Sequence, residues 1–244
     1  MIVSDLSLGY FEESILEDIS FKVQSHLCVL GDNGSGKSTL ARALCGLLHY
    51  KGSIKIDNQE LANIPSKERA KLISYIPSKM ESFEQFTTVE DFVLLGRYPY
   101  KESFKDYTKE DKELVARTLQ ELGISELNRH TLHELSSGQQ QLTLIAQALS
   151  GESKLLIFDE PTANLDPKNT ALFVQEFKKL RQNYQTILIT HDIQLASYFN
   201  DPVLFIQDAK AELFETDFFN TQKLTQAYGI NFKKEDTLIG ISYE

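Results

Sequence analysis

Cysteine is scarce, long apolar runs are missing, and basic charge is in deficit; each shortage excludes something. Only Cys28 and Cys45 occur among 244 residues. They fall in an expected buried strand and the helix behind it, with no partners at metal-ligand spacing, so a disulfide framework and a zinc site are both set aside in favour of a reduced structural role. No stretch approaches the roughly 18 apolar residues of a membrane span, and the amino end carries acidic residues instead of a basic and then apolar leader. Twenty-five Lys and Arg against thirty-five Asp and Glu leave a net charge of −10. That disfavours a broad nucleic-acid footprint or direct adsorption to anionic lipid, so membrane association is expected to run through a protein partner. There is no internal repeat or low-complexity tract. A hydrophobic content of 41% still provides a sizeable core, and the length favours one domain with subdomains over two independent domains.

The informative stretch is Gly31-Asp32-Asn33-Gly34-Ser35-Gly36-Lys37-Ser38-Thr39. It follows the apolar run Leu27 to Leu30, read as a buried strand, and precedes a helix read over Leu40 to Leu48. In a strand-loop-helix setting the pattern G-x-x-x-x-G-K-[ST] is a phosphate-binding loop. Its glycines let backbone N–H groups close around phosphate oxygens where a Cβ would collide. Lys37 is placed to reach β- and γ-phosphates, Ser38 to give a hydroxyl to Mg²⁺, and the helix start to add its dipole.

Around this loop the chain reads as alternating strands and helices. Met1 to Leu8 and Ile15 to Val23 are expected as antiparallel strands joined by a turn at Glu12-Glu13-Ser14. Gly52 is expected to close the first helix, with a strand from Ser53 to Asp57, a turn at Asp57-Asn58 and a strand from Ile73 to Ile76. From Ser78 to His133 the character is mainly helical, with cap signals at Thr88/Asp91 and Thr108/Asp111. Leu142 to Leu149 is a helix and Leu155 to Phe158 a continuous apolar strand. Asp166-Pro167 is an N-cap followed by proline at the first helical position. Thr186 to Ile189 is another buried strand, Val203 to Ile206 and Ala211 to Phe214 form a hairpin, and Thr221 to Tyr228 is a last helix. The fold expected is α/β: a mostly parallel sheet covered by helices, with an antiparallel β subdomain and a helical insertion.

Two further strand ends carry chemistry. Asp159 and Glu160 close the Leu155 strand; the first suits Mg²⁺, held through water, and the second suits the general base for a water attacking phosphorus. Thr190-His191-Asp192 delivers His191 to the carboxyl edge of the next strand, where ligands bind in open α/β sheets. His130 and His133 lack carboxylate or cysteine partners and read as surface or packing residues.

The stretch Leu135-Ser136-Ser137-Gly138-Gln139 resembles the signature motif of ATP-binding cassette ATPases, with the Asp159-Glu160 pair following at that family's spacing, and the resemblance extends over the whole chain. It implies a P-loop ATPase fold in a single cassette over 1–244, with the core in 1–77 and 134–244 and a helical subdomain in 78–133. ATP would be gripped by Gly31, Asn33, Gly34, Ser35, Gly36, Lys37, Ser38 and Thr39, with Tyr10 stacking on adenine. Mg²⁺ would lie at Ser38 and Asp159, with Glu160 and His191 as catalytic residues. Ser136, Gly138 and Gln139 would reach the γ-phosphate held by a second copy, and Asp166 in Ala163-Asn164-Leu165-Asp166 would cross the interface. Leu95-Gly96-Arg97-Tyr98-Pro99-Tyr100 and Leu224-Thr225-Gln226-Ala227-Tyr228-Gly229 are similar to segments of ATPases that energise importers of iron siderophores, haem and cobalamin. The partners implied are a second copy and two integral-membrane permease subunits, with a substrate-binding protein acting indirectly and no nucleic acid. The location implied is the cytoplasmic face of the membrane.

The sequence departs from that family at Ser137, Gln140 and Leu142, and above all at Ser78, where a glutamine touching Mg²⁺ and the attacking water is usual. Gln85 could fold back to replace it. Ser78 also leaves open a weakly active regulatory ATP switch. A soluble non-transport ATPase of the same family is the other alternative; those usually carry two cassettes or coiled-coil arms, which are absent here. A P-loop phosphotransferase conflicts with Ser136 to Gln139.

Overall fold

A computed structural model describes residues 1–10, 13–80 and 86–232. They form two compact units, one of Met1–Ile64 with the chain from Gln185 onward, the other of Pro65–Tyr184. Glu12 in the expected first turn and Gln85 lie outside the described residues.

The first unit begins with β1 (Ile2–Tyr10), β2 (Glu13–Lys22) and β3 (His26–Gly31), followed by α1 (Lys37–Leu44), β4 (Lys51–Ile56) and β5 (Gln59–Glu60). β1 lies antiparallel between β2 and β4 in a four-stranded sheet of order β2-β1-β4-β5. Asp57 and Asn58 both have positive φ, the conformation a two-residue primed turn requires, and they fold β5 onto β4. α1 starts inside the phosphate loop, at Lys37, and stops earlier than expected. The cause is Gly46 at φ 67: its N–H reaches Ala43 O and the Leu47 N–H returns to Arg42 O at 2.8 Å, a left-handed helix stop. Gly52 is instead part of β4, at φ 95, where a Cβ would overlap the Asp5 carbonyl.

The second unit holds α2 (Ser66–Arg69), β6 (Ile73–Ile76), α3 (Val89–Leu94), α4 (Lys109–Glu121), α5 (Ser137–Ser150), β7 (Leu155–Asp159) and α6 (Pro167–Leu180). β6 and β7 run parallel, Ile73 beside Leu155 and Ile76 beside Phe158. Thr88 and Thr108 cap α3 and α4 by accepting from the N–H of Asp91 and Asp111. Phe158 is fully buried and meets Phe177 edge-on at 4.9 Å and Phe173 at 5.9 Å. Burying each such ring contributes about 1.5–3 kcal/mol, which fastens α6 to β7.

A buried polar knot joins the turn after α3 to α4 and α5. Arg97, 8% exposed, donates from Nε to Asp111 Oδ1 at 2.8 Å and from Nη1 to the Ser150 carbonyl and Glu152 Oε2. Its guanidinium lies over the Tyr100 ring, 4.0 Å from the centroid, and the Tyr100 hydroxyl donates to Gly151 O. Neighbouring Gly96 has no room for a Cβ, which would overlap Gln147 O. Burial pushes the Asp111 carboxyl up, but the Arg97 and Thr108 hydrogen bonds outweigh it and hold the group below its ordinary value.

The chain then returns to the first unit with β8 (Gln185–Ile189), α7 (Ile193–Phe199), β9 (Val203–Gln207), β10 (Lys210–Phe214) and α8 (Thr221–Tyr228). Within that unit the strands run β10-β9-β3-β8, with β3 parallel to both neighbours and β9 antiparallel to β10. Phe205, Phe218, Leu224 and Cys28 share one apolar cluster there.

Candidate active site

The sequence-predicted residues divide between the two units. In the first, β3 and β8 are in parallel register, Val29 beside Ile189, so the loop after Gly31 and the Thr190-His191-Asp192 turn leave the same carboxyl edge. Gly34 and Gly36 take φ of 83 and 98, and a Cβ on Gly36 would come within 2.7 Å of Ile15 Cγ2. Lys37 is 6% exposed and donates from Nζ to the Gly31 and Asp32 carbonyls, both at 2.8 Å. The ammonium is thereby held over the turn of the loop. Ser35 Oγ is buried without a hydrogen-bond partner among the described residues. A concave turn of backbone N–H groups, a cationic Nζ and an unsatisfied hydroxyl fit a polyphosphate.

His191 is exposed and follows Thr190, whose N–H is tied to Val29 O. Asp192 caps α7 by accepting from the N–H groups of Gln194 and Leu195. Tyr10 is the last residue of β1, its Cα paired with Glu13. The last helix adds Tyr228, which lies in the Leu224 to Gly229 segment but has no role at the site assigned from sequence. Burial pushes the Tyr228 hydroxyl up to about 12, with the loop residue Asp32 and then Cys28 adding to the shift. That hydroxyl is buried with no partner among the described residues.

In the second unit Asp159 is 4% exposed, and one carboxylate oxygen accepts from the Tyr75 hydroxyl at 2.7 Å. Glu160 follows at φ 49, a left-handed turn that departs from the strand at once. The parallel register of β6 and β7 brings Ser78 to the same strand edge, and Asn164 Nδ2 donates to the Ser78 carbonyl at 3.0 Å. The Asp159 carboxylate here, and the Ser38 hydroxyl in the first unit, are each, taken separately, a hard oxygen donor of the kind Mg²⁺ accepts.

The helix expected from Leu142 begins five residues sooner, so the signature residues are its first turn. Ser136 is the N-cap: its Oγ accepts from the Gln139 N–H, and Gln139 Oε1 accepts from the Ser136 N–H. This reciprocal box explains a helix start at Ser136, Ser137 and Gly138, residues of modest helix propensity. The Ser136 hydroxyl keeps its own hydrogen, and the next N–H groups point along the helix start, so the turn can donate to an anion. Asp166 caps α6, with both carboxylate oxygens taken by Asn169: Oδ1 by its N–H and Oδ2 by its Nδ2, each at 2.8 Å.

A P-loop on parallel strands and a helix start capped by the signature serine are the features of a nucleotide-binding cassette. The sequence profile of the ABC transporter family matches residues 16–163. The manganese transport system ATP-binding protein MntB of Listeria innocua is 32% identical over 235 residues, covering 94% of this chain and 96% of the relative. The petrobactin import ATP-binding protein FpuD of Bacillus anthracis is 31% identical over 208 residues, covering 83% and 76%. A solved chain from a transporter described as metal-chelate type, in an inward-facing conformation, superposes with a TM-score of 0.83 at 27% identity, covering 94% of this chain and 89% of that one. The chain belongs to the ABC transporter ATPase family: it is an ATP-binding, ATP-hydrolysing transporter subunit. Among the described residues no helix is long and apolar enough to cross a membrane.

Proposed function

We propose that this chain is the energising ATPase of a metal-chelate importer, acting as a pair of identical cassettes bound peripherally to two permease subunits at the cytoplasmic face of the membrane. The observation that carries the reading is that one chain holds two helix starts suited to an anion, the phosphate loop entering α1 and the Ser136-capped turn of α5. In the paired reading, each phosphate loop holds ATP and each signature turn caps the γ-phosphate held by the partner. Lys37 and the loop N–H groups neutralise the β- and γ-phosphates, Ser38 and Asp159 hold Mg²⁺, and Glu160 accepts the proton of the attacking water, with His191 orienting both. Tyr10 supplies the adenine face, and Asp166 lies in the loop that meets the partner. We read 1–244 as a single cassette domain, with residues 78–133 as the subdomain that meets the permeases.

A chelate cargo is supported by the Leu95–Tyr100 segment, by Leu224–Gly229 and by the metal-chelate transporter chain. The manganese transport relative supplies the competing cargo. The test is purification of the complex from native membranes, followed by ATPase assays with its binding protein loaded either with an iron chelate or with Mn²⁺. Two hydrophobic permease chains and stimulation by the chelate are expected. Stimulation by Mn²⁺ alone, or a complex without permeases, contradicts the proposal.

A further inference from the structure

The signature helix and the Asp166 loop are joined through one side chain that neither motif contains. Asn169, in the first turn of α6, fills both oxygens of Asp166, as described above. The same carboxamide lies against the second residue of α5. An ideal Cβ on Gly138 would overlap Asn169 Oδ1 and lie 3.1 Å from Nδ2. Gly138 is buried and has no positive φ, so its backbone conformation is open to any residue. It is the Asn169 amide that excludes a side chain there.

We infer that Asn169 is a positioning residue that sets the spacing between the signature turn of α5 and the Asp166 loop, and so tunes ATP-driven pairing of two chains; this rests on the paired reading above. Both elements must meet one partner surface together. Asn169 is half-exposed and grips Asp166 through its N–H and Nδ2 while its Oδ1 rests on Gly138. A shift of the Asp166 loop is therefore transmitted directly to the turn capped by Ser136. Asn is suited to this task where Asp is not. Its Nδ2 donates to the Asp166 carboxylate, whereas a second carboxylate would repel it and would put negative charge at the helix start that receives the partner's phosphate.

Two measurements on the full chain test this. The first is a thermal-unfolding cycle of Gly138→Ala in the wild-type and Asn169→Ala backgrounds. Alanine is the better helix former by about 1 kcal/mol, so Gly138→Ala should raise the melting temperature once Asn169 is shortened and lower it while Asn169 is present. A change of the same sign and size in both backgrounds overturns the seat. The second is ATP-driven pairing of Asn169→Asp in the Glu160→Gln background, where bound ATP persists, followed by sedimentation alongside ATP affinity of the unpaired chain. Pairing weakened by about tenfold or more at unchanged ATP affinity is expected from the added charge; pairing equal to the Glu160→Gln parent overturns the inference. Failure of the Glu160→Gln parent itself to pair overturns the paired reading and this inference with it, whereas pairing of that parent with an additive thermal cycle overturns the inference alone.

Discussion

The Tyr75 hydroxyl donates to Asp159 Oδ2 at 2.7 Å, which ties the penultimate residue of β6 to the last of β7. The bond restrains a buried carboxylate that is one of the two proposed Mg²⁺-holding groups. Partners of this kind are worth roughly 10- to 100-fold in metal affinity or activity. Tyr75→Phe keeps the ring and removes the bond. It should raise the Mg²⁺ concentration for half-maximal ATPase by about tenfold and weaken Mn²⁺ binding, read by electron paramagnetic resonance, in the presence of nucleotide. Unchanged metal dependence in both would remove Tyr75 from that role.

Arg97 gives a pH-dependent prediction. The Asp111 carboxyl is held below its ordinary value, despite burial, by its bonds to Arg97 and Thr108. A depressed carboxylate stabilises the fold above its unfolded pKa, about 3.9, and that contribution is lost as pH falls through the lower folded value. Arg97→Met leaves Asp111 buried without its cation, at a cost of about 3–5 kcal/mol. Thermal unfolding followed from pH 3 to 7 should show the variant less stable near neutrality, with the deficit shrinking as pH falls and Asp111 takes up a proton. A parallel shift of the whole pH profile would contradict the assignment to Asp111.

At Ser78 the side chain is too short to replace a glutamine amide, and its carbonyl is occupied by Asn164 Nδ2. A bridging water is then the natural link to the nucleotide site, and ordering such a water costs up to about 2 kcal/mol. Ser78→Gln should therefore raise ATPase in the assembled complex by up to about 30-fold, or tighten its coupling to cargo. A variant with the same rate, metal dependence and coupling would show that another group already fills the position.

What the sequence disclosed and what it withheld follow from the range of the interactions. The phosphate loop, the run Leu155 to Phe158, the hairpin of β9 and β10 and the limits of α8 were legible because their signals are local: glycine spacing, unbroken apolar residues, caps. The stop of α1 was misread because Gly46 and Gly52 both satisfy a helix-stop rule, and only the β4 contact at Asp5 O tells them apart. The start of α5 was misread because Ser136, Ser137 and Gly138 have little helical propensity and the turn is held by reciprocal capping with Gln139. The Arg97 knot, the Tyr75–Asp159 bond and the Asn169 seat have no local signal. Arg97 lies 53 residues from the Ser150 carbonyl it binds and Tyr75 lies 84 residues from Asp159, and such pairs exist only once α5 and β7 have packed.

The central claim, that two copies close around ATP, is tested most directly by sedimentation velocity of Glu160→Gln with ATP and Mg²⁺. The substitution keeps the shape of the site and removes its base, so hydrolysis should fall by about two to four orders of magnitude while bound ATP persists. The account predicts a monomer without nucleotide, a stable dimer with ATP and Mg²⁺, and a return to monomer when Ser136→Arg is added. A Glu160→Gln chain that remains monomeric at saturating ATP, or that pairs equally well with Ser136→Arg, would contradict it.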